Sequence, residues 1–328
     1  MSVVAVEDGL SRLRVSDVTI TNKKSNWELQ NMPNDINTIA FLGFGEAAQA
    51  FLKGWGSDIV PVIRAFDIKT TDNNVAIRDA KNAEYVAAGA TGAVSNAVAL
   101  SGAELVFSLV TADQAALVAR DAAASITKGA FFFDCNSCAP GTKRRSAELI
   151  EAAGGRYVDM AVMAPVYPKL HKTPILLSGP HAMDAKPILE SLGMEPGIAG
   201  DTVGAGSAIK MVRSIMMKGL EALFAECVLA GRRAGVDETV LASLDKTYPG
   251  FDFMEKAGYM LERSMTHGIR RAAEMEEVAL TVEELGLNNG MAKATVDWQR
   301  TIGALKLDAG DFGYQKRADM ILKAMSEK

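Results

Sequence analysis

Residues 38–48 read Thr38-Ile39-Ala40-Phe41-Leu42-Gly43-Phe44-Gly45-Glu46-Ala47-Ala48, an apolar run that breaks at G-x-G-x-x-A. The run suits a buried strand, and the apolar positions after the glycines recur at helical spacing. The stretch therefore predicts a strand over Thr38–Gly43, a tight turn and a helix over Ala47–Trp55. Gly43 permits the turn, Gly45 lets an anion approach the backbone, and Ala48 lets the helix lie close to the strand. The amides of Phe44, Gly45, Glu46 and Ala47 gather at a helix N-terminus, whose partial positive charge favours a pyrophosphate. A second apolar run, Val60–Asp67, ends in a carboxylate 22 residues beyond Gly45. That spacing completes a dinucleotide-binding pattern: Asp67 can accept from both hydroxyls of an adenosine ribose, and its charge repels a 2′-phosphate, which points to NAD. Lys69 stands two residues on, where it could offset such a phosphate, so NADP stays open.

Further along, short apolar runs at Leu105–Val110, Ala130–Asp134, Tyr157–Val162 and Pro174–Ser178 alternate with helical patterns at Val75–Ala88, Gln114–Ala124, Thr142–Ala153 and Ala182–Leu192. This alternation is the mark of parallel strands joined by crossover helices, so residues 36–203 read as an α/β Rossmann-type doubly wound domain. Ligands in such sheets sit at the carboxyl ends of the strands, which adds Leu109, Val110 and Thr111 to the cofactor-binding candidates. After Gly200 the strand-like runs stop. Ala208–Gly235 is apolar on most faces and reads as a buried central helix, and residues 204–328 as an all-α C-terminal domain broken at Pro249-Gly250 and Asn288-Asn289-Gly290. Residues 1–35 show no period and read as an N-terminal extension, within which Met32 is a candidate start.

The 328 residues are 48% hydrophobic, ample for two cores, and 35 basic against 40 acidic residues give −5 with no basic cluster. A nucleic-acid partner is excluded on that balance. No apolar run approaches the roughly 20 residues that cross a bilayer. Glu7, Asp8, Arg12 and Arg14 stand where a signal peptide needs an apolar centre, so a cytoplasmic protein with no membrane partner is expected. Cys135-Asn136-Ser137-Cys138 spells C-x-x-C, but it follows an apolar strand within the nucleotide-domain pattern, which disfavours a redox role. His171, His181 and His267 fall at no ligand spacing from the cysteines, so no metal is expected.

At the domain junction lies Gly204-Ala205-Gly206-Ser207-Ala208-Ile209-Lys210. A lysine near the start of a buried helix opposes the helix dipole and is costly to desolvate. The same burial would lower its pKa from about 10 toward neutrality and suit it to exchange a proton with a substrate hydroxyl. On the residues alone, catalytic and structural roles both stand.

The junction resembles the β-hydroxyacid dehydrogenase family, which includes 3-hydroxyisobutyrate dehydrogenase and 6-phosphogluconate dehydrogenase. Members carry G-x-G-x-x-x-K here, matched by Gly204, Gly206 and Lys210, and the resemblance implies that Lys210 is the proton-transfer residue. Asn136-Ser137, Thr142 and Arg144-Arg145 are similar to N-S-x-x-x-x-T-x-R-R of phosphogluconate dehydrogenase, which implies that Asn136 lies between nicotinamide and substrate. The resemblance runs from about Ile36 to Lys218, and His267-Gly-Ile-Arg270-Arg271 with Glu274 looks like the helical domain of a less-characterised branch.

Three departures bear on the substrate. Where the family has a Ser-Gly-Gly that binds the substrate carboxylate, this chain has Met163-Ala164-Pro165, which suggests a bulkier or more apolar substrate. The usual asparagine four residues after the lysine is Ser214, on the same helix face. Where phosphogluconate dehydrogenase has a second acid stands Met217, leaving Lys218 or Glu221 as substitutes. The expected activity is an NAD(P)-dependent dehydrogenase or reductase acting on a CH–OH group of a 3-hydroxy-acid-like small molecule, with Lys210 as general acid/base and Asn136 and Ser214 orienting the substrate. An oxidative decarboxylase of a 3-hydroxy acid and a non-catalytic nucleotide sensor are the alternatives. Met211, Val212, Ile215, Met216, Leu220, Leu223, Phe224, Val228 and Leu229 spread around more than one face of the long helix, and with the resemblance they imply a homodimer.

Overall fold

The computed structural model describes residues 36–56 and 62–327. The expected extension over residues 1–35 and the first two residues of the expected strand Val60–Asp67 lie outside them. One sheet of eight strands organises the first part: β1 (Thr38–Leu42), β2 (Val62–Phe66), β3 (Thr91–Gly92), β4 (Leu105–Ser108), β5 (Phe131–Asp134), β6 (Arg156–Val162), β7 (Ile175–Ser178) and β8 (Pro196–Gly200). Between them run α1 (Glu46–Trp55), α2 (Val75–Ala87), α3 (Asn96–Leu100), α4 (Ala115–Ala123), α5 (Pro140–Ala152) and α6 (Ala182–Ser191).

The strand order is β3-β2-β1-β4-β5-β6-β7-β8. Order reverses between β1 and β4, which places the ligand crevice of a doubly wound sheet beside Gly43 and Leu109. Both faces are covered, as the unbroken apolar runs require. Phe41, Phe107, Phe131 and Phe133 fill one side and Leu42, Val106, Phe132 and Tyr157 the other, with the Phe107 and Phe133 rings stacked at 4.8 Å.

Three details differ from the expectations. β7 pairs antiparallel with β6, because only a single 3-10 turn, Leu170–Lys172, interrupts the connection and no crossover helix carries the chain back. β8, Pro-Gly-Ile-Ala-Gly, carries no β-forming signal of its own and forms because β7 offers it a partner at the sheet edge. β3 and α3 are too short to show a period.

Five helices follow: α7 (Ala205–Ala234), α8 (Asp237–Thr247), α9 (Phe253–Glu284), α10 (Gly290–Gly303) and α11 (Tyr314–Ser326). α7 begins three residues before its expected start, with Gly204 in the left-handed region at φ 98°. Its first amides find acceptors in the sheet: Gly206 N donates to Ser178 Oγ at 3.0 Å and Ser207 N to Asp159 Oδ2 at 3.0 Å. Such capping satisfies amides that a helix start otherwise leaves bare. α9 and α10 touch backbone to backbone at Gly268 and Gly303, where a side chain on either glycine would collide with the other helix. Among the described residues no helix is long and apolar enough to cross a membrane.

Candidate active site

The turn after β1 is shaped by one close approach. Gly43 has φ +86°, its N–H donates to Phe66 O at 2.8 Å, and a Cβ there would stand 2.5 Å from Leu109 O and 2.8 Å from Val110 Cγ1. The glycine thus lets the segment after β4 run directly alongside the turn. At Gly45, among the described residues, no atom lies within 4 Å of a Cβ position and no side chain caps α1. An open cradle beside an uncapped helix N-terminus fits a pyrophosphate. Asp67 faces the same turn: Oδ2 accepts from Phe44 N at 2.9 Å and Oδ1 from Lys69 N at 3.0 Å. Each oxygen keeps lone-pair capacity for a ribose hydroxyl. Gly43, Phe44, Gly45, Glu46, Ala47, Asp67, Leu109, Val110 and Thr111 are therefore brought to one edge of the sheet.

Lys81 lies beneath this turn and was not foreseen. It is buried, donates to Phe44 O at 2.7 Å, pairs with Glu84, and its Nζ stands 3.8 Å from Asp67 Oδ2. Its position in the polar pattern of α2 looks solvated from sequence, and only the tertiary fold turns it inward.

Asn136 follows β5 and is 3% exposed. Its Nδ2 donates to Ser108 Oγ at 2.9 Å and to Asp134 Oδ1 at 2.8 Å, and its Oδ1 accepts from Val110 N at 2.7 Å. Both amide hydrogens are thus engaged within the protein. What Asn136 visibly does is hold the Val110 backbone at the crevice, with one Oδ1 lone pair to spare.

Lys210, Ser214 and Lys218 share one face of α7 at i, i+4 and i+8. Lys210 is half-buried, and desolvation pulls its amine down to about 8; Glu274 of α9 opposes the fall, while the cations of Lys218 and Lys143 add to it. Burial alone would raise Glu274, but Lys218, Arg270 and Lys210 together hold it at about 2. Its carboxylate pairs with Lys218 at 3.1 Å and with Arg270 at 2.6 Å. Ser214 Oγ accepts from Lys218 Nζ at 3.0 Å and retains its own hydrogen to donate. A cleft of about 450 Å³ opens between Thr111 and Asp113 on one side and His267, Arg270 and Ala273 on the other.

Helix α9 also reaches the start of α5. Glu277 Oε2 accepts from Ala139 N at 2.6 Å and from Thr142 Oγ1 at 3.0 Å, and Glu284 Oε2 accepts from Gly141 N at 3.1 Å. These carboxylates neutralise the positive end of α5 and tie the helical part to the loop that carries Asn136. Nothing in the sequence distinguishes them from the solvated glutamates around them.

Glu221 is buried, paired with Arg271, and accepts from Gln299 Nε2 at 2.9 Å, so its charge is committed between α7, α9 and α10. Burial pushes its carboxyl up, and Arg271, Gln299 and Lys218 oppose the rise. Burial pushes the Cys135 and Cys138 thiols up, far from a reactive thiolate. His171 packs against Gly54 and Gly193, while Lys169 and Lys172 are exposed, an arrangement of wedge and solvated charges. Among the described residues no group of three or more His, Cys, Asp and Glu side chains comes together as a metal site would need.

Residues 65–206 match the family described as the NAD binding domain of 6-phosphogluconate dehydrogenase, and residues 232–302 match a domain of unknown function, DUF1932. The chain is 37% identical to a conserved hypothetical protein from Sinorhizobium meliloti 1021, whose crystal structure superposes with a TM-score of 0.68 over 91% of this chain and 99% of that one. It is 28% identical to a conserved protein described as structurally similar to 3-hydroxyacid dehydrogenases, with a TM-score of 0.60 over 88% of this chain and 99% of that one. It is also 32% identical over 169 residues to the 3-hydroxyisobutyrate dehydrogenase of Pseudomonas aeruginosa, covering 49% of this chain and 56% of the relative.

Proposed function

The chain belongs to the β-hydroxyacid dehydrogenase-like family of NAD(P)-dependent oxidoreductases, and on that premise we propose that it interconverts a CH–OH group and a carbonyl on a 3-hydroxy-acid-like small molecule. A nicotinamide dinucleotide bound along Gly43–Ala47 and Leu109–Thr111 supplies the two-electron exchange. Asp67 binds the adenosine ribose. Asn136 holds the Val110 backbone, and so the nicotinamide side of the crevice, in place. Lys210 takes the hydroxyl proton during oxidation and returns it during reduction, and Ser214 donates a hydrogen bond to the substrate. The carrying observation is the Lys210 amine held near 8 on a helix whose start is fixed to the nucleotide-binding sheet. Such a value lets both protonation states be populated near neutrality, as an acid/base group requires.

The test is a screen of 3-hydroxy acids, aryl-substituted ones included, for NAD(P)H formation at 340 nm. Turnover on at least one is expected; failure across the panel, with tight NADH binding intact, supports a nucleotide sensor instead.

Asp67→Ala is expected to weaken NAD about tenfold, the loss of one good polar contact, and to bring NADP level with or ahead of it. With the carboxylate gone, the Lys81 cation beneath is no longer opposed by Asp67. Fluorescence titration with NADH and NADPH reads the ratio, and an unchanged preference removes Asp67 from the site.

Assembly follows from α7. Ile209 is 47% exposed, Val212 51%, Met216 63% and Leu223 57%, apolar positions that the described residues leave uncovered, whereas Met211, Phe224, Val228 and Leu229 of the expected face are buried within the chain. A second copy of the chain is the proposed cover. Sedimentation equilibrium at micromolar concentration is expected to give about twice 34.9 kDa; an active species at 34.9 kDa rejects the dimer.

A further inference from the structure

Behind the site, at the end of β5 and the middle of β6, lies a charge cluster sealed from solvent. Lys143 of α5 is 0% exposed, as is Asp159, and Asp134 is 1% exposed. Lys143 Nζ donates to Asp134 O at 2.6 Å and to Asp134 Oδ1 at 2.9 Å, and lies 3.4 Å from Asp159 Oδ1. Tyr157 Oη donates to Asp134 Oδ2 at 2.7 Å. Ser178 Oγ donates to Asp159 Oδ2 at 2.9 Å, and Ser207 Oγ to Asp159 Oδ1 at 2.8 Å. Two carboxylates against one cation leave a single negative charge, and it faces the positive end of α7.

Stability does not account for this arrangement. Three buried charges are costly to desolvate, and apolar side chains of similar volume commonly stabilise as well or better. What the two carboxylates hold is more informative. Asp134 Oδ1 accepts from Asn136 N at 3.1 Å and from Asn136 Nδ2 at 2.8 Å, and Asn136 in turn receives the Val110 amide. Asp159 holds the Ser207 amide and hydroxyl, one turn of helix before Lys210. The two elements that carry the proposed site are each hung from one carboxylate, and Lys143 joins the pair.

We propose that Lys143 is a positioning residue: by bridging Asp134 and Asp159 it fixes the Asn136 loop against the start of α7, and so sets Asn136 and Val110 in register with Lys210. The inference rests on the reading of Asn136 and Lys210 given above. Its cation also acts through space to lower Lys210, as does Lys218 of α7, while Glu274 of α9 and Cys138 of the loop before α5 act in the opposite sense. Removing it therefore takes away one of the charges that keep the Lys210 amine low.

The test uses the full chain with Lys143→Met and, because that change bares two buried carboxylates, Lys143→Met with Asp159→Asn, which restores the original net charge of the cluster. Hydrogen exchange is followed at the Val110 and Ser207 amides, with Gly43, bonded to Phe66 O, as the reference in the same sheet. Protection is expected to fall tenfold or more at Val110 in either variant and at Ser207 in Lys143→Met, which keeps the Asp159 acceptor of that amide, and less than twofold at Gly43. In Lys143→Met, site-resolved acetylation with acetic anhydride should show the Lys210 midpoint rising above its value of about 8. Protection lost evenly across the three amides, or unchanged at Val110 and Ser207, overturns the proposal, as does an unmoved Lys210 midpoint in Lys143→Met. None of these readouts uses a substrate. Failure of the oxidoreductase reading appears separately, as absent NADH binding or absent turnover in the unmodified protein.

Discussion

Lys210→Met lowers turnover by about 10²–10⁴-fold, the usual span for loss of a general acid/base, while NADH still titrates with nearly unmodified affinity. The split follows from position. Lys210 sits on α7 among Ser214, Lys218 and Glu274, whereas the residues assigned to the dinucleotide lie on the turns after β1, β2 and β4. The pH dependence gives an independent sign. Oxidation needs the neutral amine and should rise through pH about 8; reduction needs the ammonium and should fall through the same pH. Both limbs vanish in the variant.

Stability moves as well. The folded-state value of about 8 lies below the ordinary 10.5, so the unfolded chain binds more protons between these values and stability rises with pH across that window. Below pH 8 both states are protonated and the desolvation penalty is complete. Lys210→Met, free of that penalty, should melt higher than the unmodified protein at pH 7, with the advantage shrinking toward pH 10. Turnover within a few fold of the original in a folded variant removes Lys210 from the chemistry.

What could be read before the fold was seen divides along a physical line. The G-x-G-x-x-A turn, Asp67 and the strand ends are local: each residue type is demanded by its own backbone conformation or by a neighbour a short loop away, so spacing alone locates them. Lys210 was legible because a cation at the start of an apolar helix conflicts with its surroundings. Lys143 offers no such conflict. It stands in Thr142-Lys143-Arg144-Arg145, where the two arginines are exposed, and only the stacking of α5 on β5 and β6 reveals that this one of three consecutive cations points inward. Glu277 and Glu284 were hidden for the same reason, since the amides they accept from lie 138 and 143 residues away in sequence. Asn136 shows the reverse limit. Its pattern marked it as important, but its engaged amide hydrogens, which shift its role from touching substrate toward holding Val110, are a property of the fold.

Gly43→Ala should raise the Kd for NADH about 100-fold or more, roughly 3 kcal/mol, while Gly45→Ala weakens binding with almost no change in melting temperature. At position 43 two costs add. The backbone has φ +86°, where an L side chain costs about 1–2 kcal/mol, and the new Cβ would stand 2.5 Å from Leu109 O and 2.8 Å from Leu109 C. Backbone atoms cannot rotate away as a side chain would, so Leu109 and Val110 must shift, and Val110 N is the donor that Asn136 holds. The damage therefore reaches both walls of the crevice, and the melting temperature falls by several degrees. At position 45 the geometry differs: φ is −95°, and a Cβ would meet none of the described residues within 4 Å. Alanine is tolerated by the free protein there, and its methyl group intrudes only where a pyrophosphate would approach the α1 amides. Isothermal titration with NADH, paired with thermal melts, separates the two effects. A Gly45→Ala variant that binds NADH as tightly as the unmodified protein would place the pyrophosphate elsewhere.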